Sequence, residues 1–302
     1  MKKIITISNI LFLAALLLML VPSKRTGTDS GYYIALILLL EVFYILNAIF
    51  KKDEEKTQTT GDITAIIFSL MIIWELATTK FDLLDKLLFP TSAEILSLFI
   101  SELPELLKGL GSSLQLLFGG YVSALIVAIP LALMIGWRKR VYRVVKPLTK
   151  VLGPIPPIVY IPYAIALLPT FKISSVFVIF IAAFWPIFIN TLNGVLNVEK
   201  RIIDSAKALN VSEKSMLFQV ILPAALPSII TGATLGLTLS FILLTAAEMI
   251  GATSGLGWYV KYFSDFADYS RVIVGIIFIG IVVTVITFLF DKIEGYLLRW
   301  RR

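Results

Sequence analysis

Histidine and cysteine are both absent from this sequence of 302 residues, and charged residues are scarce. Without cysteine the chain forms no disulfide, thiolate metal site or cysteine nucleophile, and without histidine it has no histidine general base or haem ligand. Charged residues make up 16% of the chain and apolar residues 58%, whereas soluble domains average about 25% and about 45–50%. A water-soluble domain of this size cannot bury so much apolar surface. The composition therefore predicts an integral membrane protein.

Long uncharged stretches predict about eight transmembrane helices and an all-α, polytopic fold. Crossing the hydrocarbon core of a bilayer takes about 20 helical residues. The expected spans are Ile4–Ser23, Tyr32–Phe50, Ile63–Thr79, Gly109–Trp137, Val151–Phe171, Ile173–Val198, Ser215–Ala247 and Val272–Phe290. The first could instead be a signal peptide, but its apolar core is longer than usual and no small-x-small cleavage site follows it. We therefore expect a retained helix.

Basic residues indicate the orientation of the spans. With the N-terminus in the cytoplasm, 19 of the 27 Lys and Arg residues fall on the cytoplasmic side, as the positive-inside rule requires. An even number of spans returns the C-terminus to the same side. The net charge of +7 is thus explained by membrane topology, and no nucleic-acid partner is expected.

Three regions are expected along the chain. Residues 1–50 form an accessory hairpin of two spans, residues 51–61 are a charged cytoplasmic linker, and residues 62–302 form the main transmembrane domain. Within the main domain, the small-residue pairs Gly232/Gly236 and Gly275/Gly280 indicate close helix packing.

The cytoplasmic segment of residues 199–223 has the pattern of a helix, a tight turn and a second helix. Asn210 is expected to end the first helix because it tolerates the left-handed conformation, and Ser212 is expected to cap the second. The pair Leu222-Pro223 is expected to end that second helix. Small residues at the tip, Ser205 and Ala206, would allow close approach of another protein. An ordinary amphipathic surface hairpin is the alternative; a DNA-binding helix-turn-helix is excluded because no helix carries a basic recognition face.

This segment resembles the "EAA" loop of ABC importer permeases. The family pattern has an acid, two alanines, a glycine four residues on and a later Ile-x-Leu-Pro-type ending. Ser205 stands for an alanine and Asn210 for the glycine, and both keep the physical character of the family residue. The coupling residues that the resemblance implies are Asp204, Ser205, Ala206, Leu209, Asn210, Leu222 and Pro223.

Three further segments resemble the nitrate/sulfonate/taurine branch of that family, and the resemblance runs from about residue 62 to the C-terminus. They are Leu88–Ser92, Gly153–Pro162 and Ala247–Gly257, in the family's order. The chain departs from the branch at Leu167–Thr170 and at Gly111. The first two spans are additional to the six-span core of a type I importer permease.

The resemblance implies a permease of the inner (cytoplasmic) membrane that imports a small polar solute, such as nitrate, a sulfonate, taurine or a thiamine precursor. Two ATPase subunits would bind ATP and Mg, an extracytoplasmic binding protein would deliver the solute, and a second permease copy would complete a homodimer. The chain itself is expected to be no enzyme and to hold no cofactor, metal or catalytic residue. In agreement, it has no Gly-x4-Gly-Lys-Ser/Thr loop.

Prolines and polar residues within the spans are candidates for the translocation path or its gate. An interior proline frees a backbone carbonyl, which in lipid has to face protein or water. For the prolines the alternative is a bent packing helix, for the asparagines it is interhelical hydrogen bonding, and for Glu248 it is ordering of the glycine-rich outer loop. The candidates are Pro156, Pro157, Pro162, Asn190, Asn193 and Glu248.

Two other classes of membrane protein are alternatives to the ABC permease. An ion-driven secondary transporter or channel would need charged or proton-relay residues in mid-membrane, and the core spans have few. A membrane-embedded enzyme without histidine or cysteine would need clustered carboxylates, and only Glu41 and Glu75 lie in the peripheral spans.

Overall fold

The computed structural model describes residues 6–25, 30–50 and 54–299 of the chain. Helices make up 85% of it, and no strand occurs in the described residues, which confirms the expected all-α fold. A helix pairs its own backbone polar groups, so apolar segments of this kind can lie in lipid. The helices are α1 (Ile7–Leu20), α2 (Gly31–Phe50), α3 (Glu54–Glu75), α4 (Ser92–Ser101), α5 (Leu103–Trp137), α6 (Lys139–Leu152), α7 (Ile161–Leu167), α8 (Phe171–Leu196), α9 (Lys200–Ala208), α10 (Glu213–Ser215), α11 (Leu222–Gly251), α12 (Leu256–Asp265) and α13 (Tyr269–Leu297).

Among the described residues, six helices are long and apolar enough to cross a membrane, or seven if one bent pair counts as a span. The expected count of eight is not confirmed. Helix α1 has only 14 residues, and a straight crossing takes about 20. Of the expected linker, residues 51–53 lie outside the described part of the chain, and residues 54–61 form the first turns of α3.

The bent pair is α6 and α7, which meet at 84° across a short break. The break contains Pro154 and Pro156, and a 3-10 turn at Pro157–Tyr160 leads into α7. Proline cannot donate the hydrogen bond that would continue a helix, so the expected proline break of the fifth span is present. The expected start of that span at Val151 is wrong, because Val151 belongs to the end of the amphipathic helix α6.

Helix α10 continues into α11, and the chain does not change direction at Pro223. A π-helical turn, Met216–Ile221, joins the two, and together they form one helix from Glu213 to Gly251. The expectation that Leu222-Pro223 ends a helix is therefore wrong. Pro223 lies inside this continuous helix, just after the π-helical turn.

Contacts divide the chain into two compact units. One unit contains Met1–Glu105 and Tyr262–Ile277, and the other contains Leu106–Lys261 and Phe278–Arg302. In the second unit α8 and α11 pack closely, because a Cβ added at Gly232 would lie 2.7 Å from the Cβ of Asn190. The expected close packing is thus confirmed at Gly232 but wrong at Gly280, where an added Cβ would meet nothing within 4 Å.

In the first unit, the chain after α1 is bonded to the segment that follows α3. The guanidinium of Arg25 donates to Asp82 Oδ1 at 2.5 Å and to the carbonyl of Phe89 at 2.6 Å. The ammonium of Lys80 donates to the carbonyl of Val21 at 2.7 Å. Both cationic side chains are nearly buried, so these bonds fix the N-terminal hairpin to residues 80–89.

Candidate functional site

The turn between α9 and α10 closes by backbone hydrogen bonds. Asn210 has φ of 52°, which confirms the expected left-handed conformation. The amide of Val211 donates to the carbonyl of Ala206 at 3.2 Å, and the amide of Asn210 donates to the carbonyl of Lys207 at 2.9 Å. This pair of bonds is the Schellman arrangement that ends many helices. Ser212 caps the next helix, as expected, by accepting from the amide of Ser215 at 3.2 Å.

Side chains of this turn face in two directions. Ala206 is buried and packs against Met216, Ile221 and Ala225. Its expected place at an exposed tip is therefore wrong, because it holds α9 against the start of α11. Leu209, one of the coupling residues that the resemblance implies, is 79% exposed. Of the predicted coupling residues, those on the exposed surface are Asp204, Ser205, Leu209, Asn210 and Pro223, while Leu222 is half-buried.

A groove of about 330 Å³ lies between α8, α11 and the proline break before α7. It brings together Pro157 and Asn190, two of the residues selected from the sequence. The indole of Trp185 and the side chain of Thr238 also line it, and the rest of its lining is apolar or glycine. No charged residue lies in the lining, so the groove offers weak polar contacts without an ionic site.

Three other pathway candidates lie outside the groove lining. Pro156 caps the 3-10 turn beside it, and Pro162 lies in the first turn of α7; both are exposed. Asn193 is exposed on α8. Within the groove, the amide of Asn190 donates to the carbonyl of Pro186 at 2.9 Å. Asn190 thus bonds within its own helix while lining the groove.

Glu248 lies in a buried hydrogen-bonded cluster and not in the groove lining. It is 1% exposed, and its carboxylate accepts from the hydroxyl of Ser113 at 2.7 Å and from the amide of Gly257 at 2.7 Å. The Ser113 hydroxyl in turn accepts from the amide of Leu256 at 2.9 Å. These bonds connect α5, the end of α11 and the start of α12. The geometry favours the alternative role, ordering of the glycine-rich outer loop.

A larger cavity of about 700 Å³ lies where α8 ends and α11 begins. Its lining includes Asn197, Glu199 and Ile202 of the loop region, together with Pro223 and Ser228 of α11. The cavity therefore adjoins the coupling residues at one end of the α8–α11 pair.

Sequence reasoning missed Trp185, Thr238 and Ser113. Trp185 had a usable signal, since tryptophan in mid-span, away from the interfacial belt where it is usual, needs a special reason. Thr238 is one of several hydroxyl residues on α11, and nothing in the pattern distinguishes it. Ser113 is 135 residues from Glu248, and without the fold nothing in the sequence pairs them.

Long apolar helices beside an uncharged groove are features of a membrane transport protein. The sequence profile of the binding-protein-dependent transport system inner membrane component matches residues 124–302. A protein of Methanocaldococcus jannaschii named as an ABC transporter permease is 31% identical over 240 residues, which cover 77% of this chain and 89% of that protein.

Two further relatives carry the names of solutes. The nitrate import permease protein NrtB of Synechocystis is 36% identical, covering 58% of this chain and 65% of its own length. The taurine transport system permease protein TauC of Escherichia coli is 30% identical, covering 74% and 84%.

Among solved structures, an inward-facing MetNI methionine ABC transporter matches in fold. The TM-score is 0.57 at 19% identity, and the match covers 65% of this chain and 98% of that one. The chain belongs to the family of binding-protein-dependent transport system inner membrane components. It is the permease component of a binding-protein-dependent ABC importer.

Proposed function

We propose that the turn around Leu209 is the docking surface for a cytoplasmic ABC ATPase subunit, which binds ATP and Mg and supplies the energy of import. The observation that carries this proposal is the 79% exposure of Leu209 beside Asp204, Ser205 and Asn210. An exposed leucine in a rigid turn is an apolar anchor for a partner protein. The inward packing of Ala206 supports it, because the surface is formed before the partner binds.

The groove at Trp185, Asn190 and Thr238 is, in this proposal, one half of the solute path, and a second copy of the chain supplies the other half. The path residues are Pro156, Pro157, Pro162, Asn190 and Asn193, with Trp185 and Thr238 added. Glu248 supports the outer loop. The uncharged lining of the groove suits brief, weak contact with a small polar solute, such as the nitrate or taurine of the relatives. In this proposal the extracytoplasmic binding protein, and not the groove, selects the solute.

The proposed placement is the inner membrane, with both termini and the coupling loop of residues 199–223 in the cytoplasm. The distribution of 19 of 27 basic residues supports it. Residues 62–302 act as the permease domain, and residues 1–50 are an added hairpin.

The test compares Leu209→Asp with Leu83→Asp in the full chain, co-expressed with the ABC ATPase of its own system. Leu83 is a matched control because it is 73% exposed and lies outside the coupling loop. Loss of a central anchor weakens an interface by about 2 kcal/mol, or roughly 30-fold in affinity. We expect Leu209→Asp to lose the ATPase on purification and to stop ATP-dependent uptake into proteoliposomes, and Leu83→Asp to keep both.

Retention of the ATPase by Leu209→Asp would contradict the docking surface. Uptake that continues without ATP, driven by an ion gradient, would contradict the ATPase-driven mechanism as a whole.

A further inference from the structure

Helix α6 has a basic face and an apolar face on opposite sides. Residues 138–152 contain six basic residues and no acidic residue. At 100° per residue, Lys139, Arg143, Lys146 and Lys150 fall within one narrow stripe, while Arg140 lies beside the apolar stripe. The apolar stripe on the other side consists of Val141, Val144, Leu148, Val151 and Leu152.

The apolar stripe of α6 is uncovered. No residue of this helix is buried, and Val144, Leu148 and Val151 are 65%, 52% and 67% exposed. Within the second unit, the helix packs by its flank, where Tyr142 and Val145 lie against the core of α5 and α8. The protein therefore holds α6 by one edge and leaves its apolar face free.

The basic face is also uncovered. All six cationic residues are exposed, and the ammonium of Lys146 lies 5.6 Å from the ring centre of Tyr142. The helix starts directly after Trp137, which ends the 35-residue span α5. Tryptophan is enriched where a span leaves the hydrocarbon, so α6 begins at the depth of the lipid headgroups.

We propose that α6 lies in the plane of the membrane interface, with its apolar stripe among the acyl chains and its basic residues on the headgroups of anionic phospholipids. Opposed apolar and cationic faces, low overall hydrophobicity and Lys/Arg enrichment are the properties of interfacial helices. Clustered Lys and Arg next to a span attract anionic lipid. Long basic side chains reach the headgroup layer from a helix that is itself partly immersed.

A second copy of the chain fits this face less well. Contact between two apolar stripes across a two-fold axis would turn both basic stripes outward and leave them without a counter-charge. An anionic bilayer surface instead complements those charges along the whole helix.

The position of α6 also bears on the groove. Gly153 follows α6 directly and lines the groove with Pro157, and the 84° bend follows the same residues. Lipid that holds α6 in the interface would therefore also fix the position of Gly153 in the groove wall. The proposal for α6 stands on its own residues and does not depend on the proposed ATPase or solute.

The test uses the absence of cysteine, which makes an engineered cysteine unique. Full-length protein with Val144→Cys carries a fluorophore and is reconstituted in phosphatidylcholine vesicles that contain phosphatidylglycerol. One of the two lipids is brominated in its acyl chains, so that it quenches a fluorophore in contact with it, and iodide serves as the aqueous quencher. We expect strong quenching by lipid, weak quenching by iodide and more quenching by brominated phosphatidylglycerol than by brominated phosphatidylcholine.

The charge variant is Lys139→Gln, Arg143→Gln and Lys146→Gln combined, on the same labelled chain. Its preference for phosphatidylglycerol should fall by at least about fivefold, the effect of one Lys or Arg at an anionic surface. The control is Lys172→Gln, an exposed lysine at the start of α8, which should leave the preference unchanged. The lipid quenching of the charge variant also reports whether α6 stays in place.

Each other outcome overturns the proposal. Strong iodide quenching would put the apolar stripe in water. Protection from both quenchers would show that protein covers the stripe, with a second copy revealed by energy transfer between labelled chains. Equal quenching by the two lipids would overturn the anionic selectivity.

Discussion

Glu248 accepts a hydrogen bond from Ser113, and the two residues lie on different helices, α11 and α5, at the base of the outer loop. The same carboxylate accepts the amide of Gly257. A buried carboxylate with hydrogen-bond donors at both oxygens is stabilised by them, and these donors are themselves satisfied. The backbone amide of Gly257 thus fixes the outer loop to Glu248 at the end of α11.

Replacing Glu248 should destabilise the protein. Glu248→Ala leaves the buried Gly257 amide and Ser113 hydroxyl without this acceptor, at a cost of about 1–3 kcal/mol per group. Glu248→Gln should have a smaller effect, since one amide oxygen still accepts. Thermal unfolding of the purified protein measures both, with the exposed Ser112→Ala, which loses a bond to Ser254 of 2.8 Å, as a milder control. Equal unfolding temperatures for Glu248→Ala and wild type would contradict the role of this cluster.

Two glycine-to-alanine changes should act in opposite directions. Gly255 has φ of 127°, and an added Cβ would overlap the carboxylate of Glu248, so Gly255→Ala should destabilise the outer loop. Gly280 lies inside α13 with nothing near an added Cβ, so Gly280→Ala should raise stability by about 0.5–1 kcal/mol. Unfolding of both variants under one set of conditions checks the sign. The same sign for both would show that local space and backbone conformation do not decide the effect.

Asn210 should tolerate glycine and reject a β-branched residue. Its φ of 52° is left-handed, where a Cβ costs about 1–2 kcal/mol and glycine pays no such cost. Asn210→Gly should therefore keep uptake and ATPase binding, while Asn210→Val should reduce both, because a β-branched residue strains the turn. Proteoliposome uptake and ATPase co-purification measure these effects. Normal uptake by Asn210→Val would mean that the turn conformation is not needed for coupling.

The ion pair of Asp82 and Arg25 should make stability depend on pH. The hydrogen bond from the Arg25 guanidinium, with Lys86 adding to it, holds the pKa of the Asp82 carboxyl below its usual value. A lowered pKa in the folded state gives stability that is present above the ordinary carboxyl pKa and is lost as pH falls through the lowered pKa. Asp82→Asn removes the charge and keeps a residue that accepts the φ of 52° found here.

Unfolding temperatures of wild type and Asp82→Asn should therefore differ at neutral pH and converge in acid. Arg25→Gln should show the same convergence. A difference that persists unchanged at acid pH would mean that the effect of Asp82→Asn does not come from its charge.

The sequence predicted the helices and the coupling turn well, because both are set by local chemistry. Apolar runs define spans such as α8, and the conformation of Asn210 and the cap at Ser212 follow from residue type. The side-chain directions at Ala206 and Leu209 were not predictable. The resemblance placed both residues on the coupling surface, and only the packing of α9 on the start of α11 decides which of them is buried.

The groove and the Glu248 cluster were only partly predictable for a different reason. Both join residues that are distant in the chain, such as Asn190 with Thr238 and Glu248 with Ser113. A single sequence carries the residue types but not the pairing. The six basic residues of α6 are visible in the sequence. That α6 is a helix separate from the following span depends on where the chain bends, and the sequence pattern did not show this.

The helix from Glu213 to Gly251 has 39 residues, and at 1.5 Å per residue it is about 60 Å long. This single rod begins beside Ser212, carries Thr238 along its length and reaches Glu248 near its far end. A hydrogen-bonded helix resists shortening, so a force applied by the proposed ATPase at the turn around Leu209 would be carried along it toward Glu248. The π-helical turn at Met216–Ile221 and the interior Pro227 both lie in the half of this helix near Ser212, so the features that bend a helix are confined to that end.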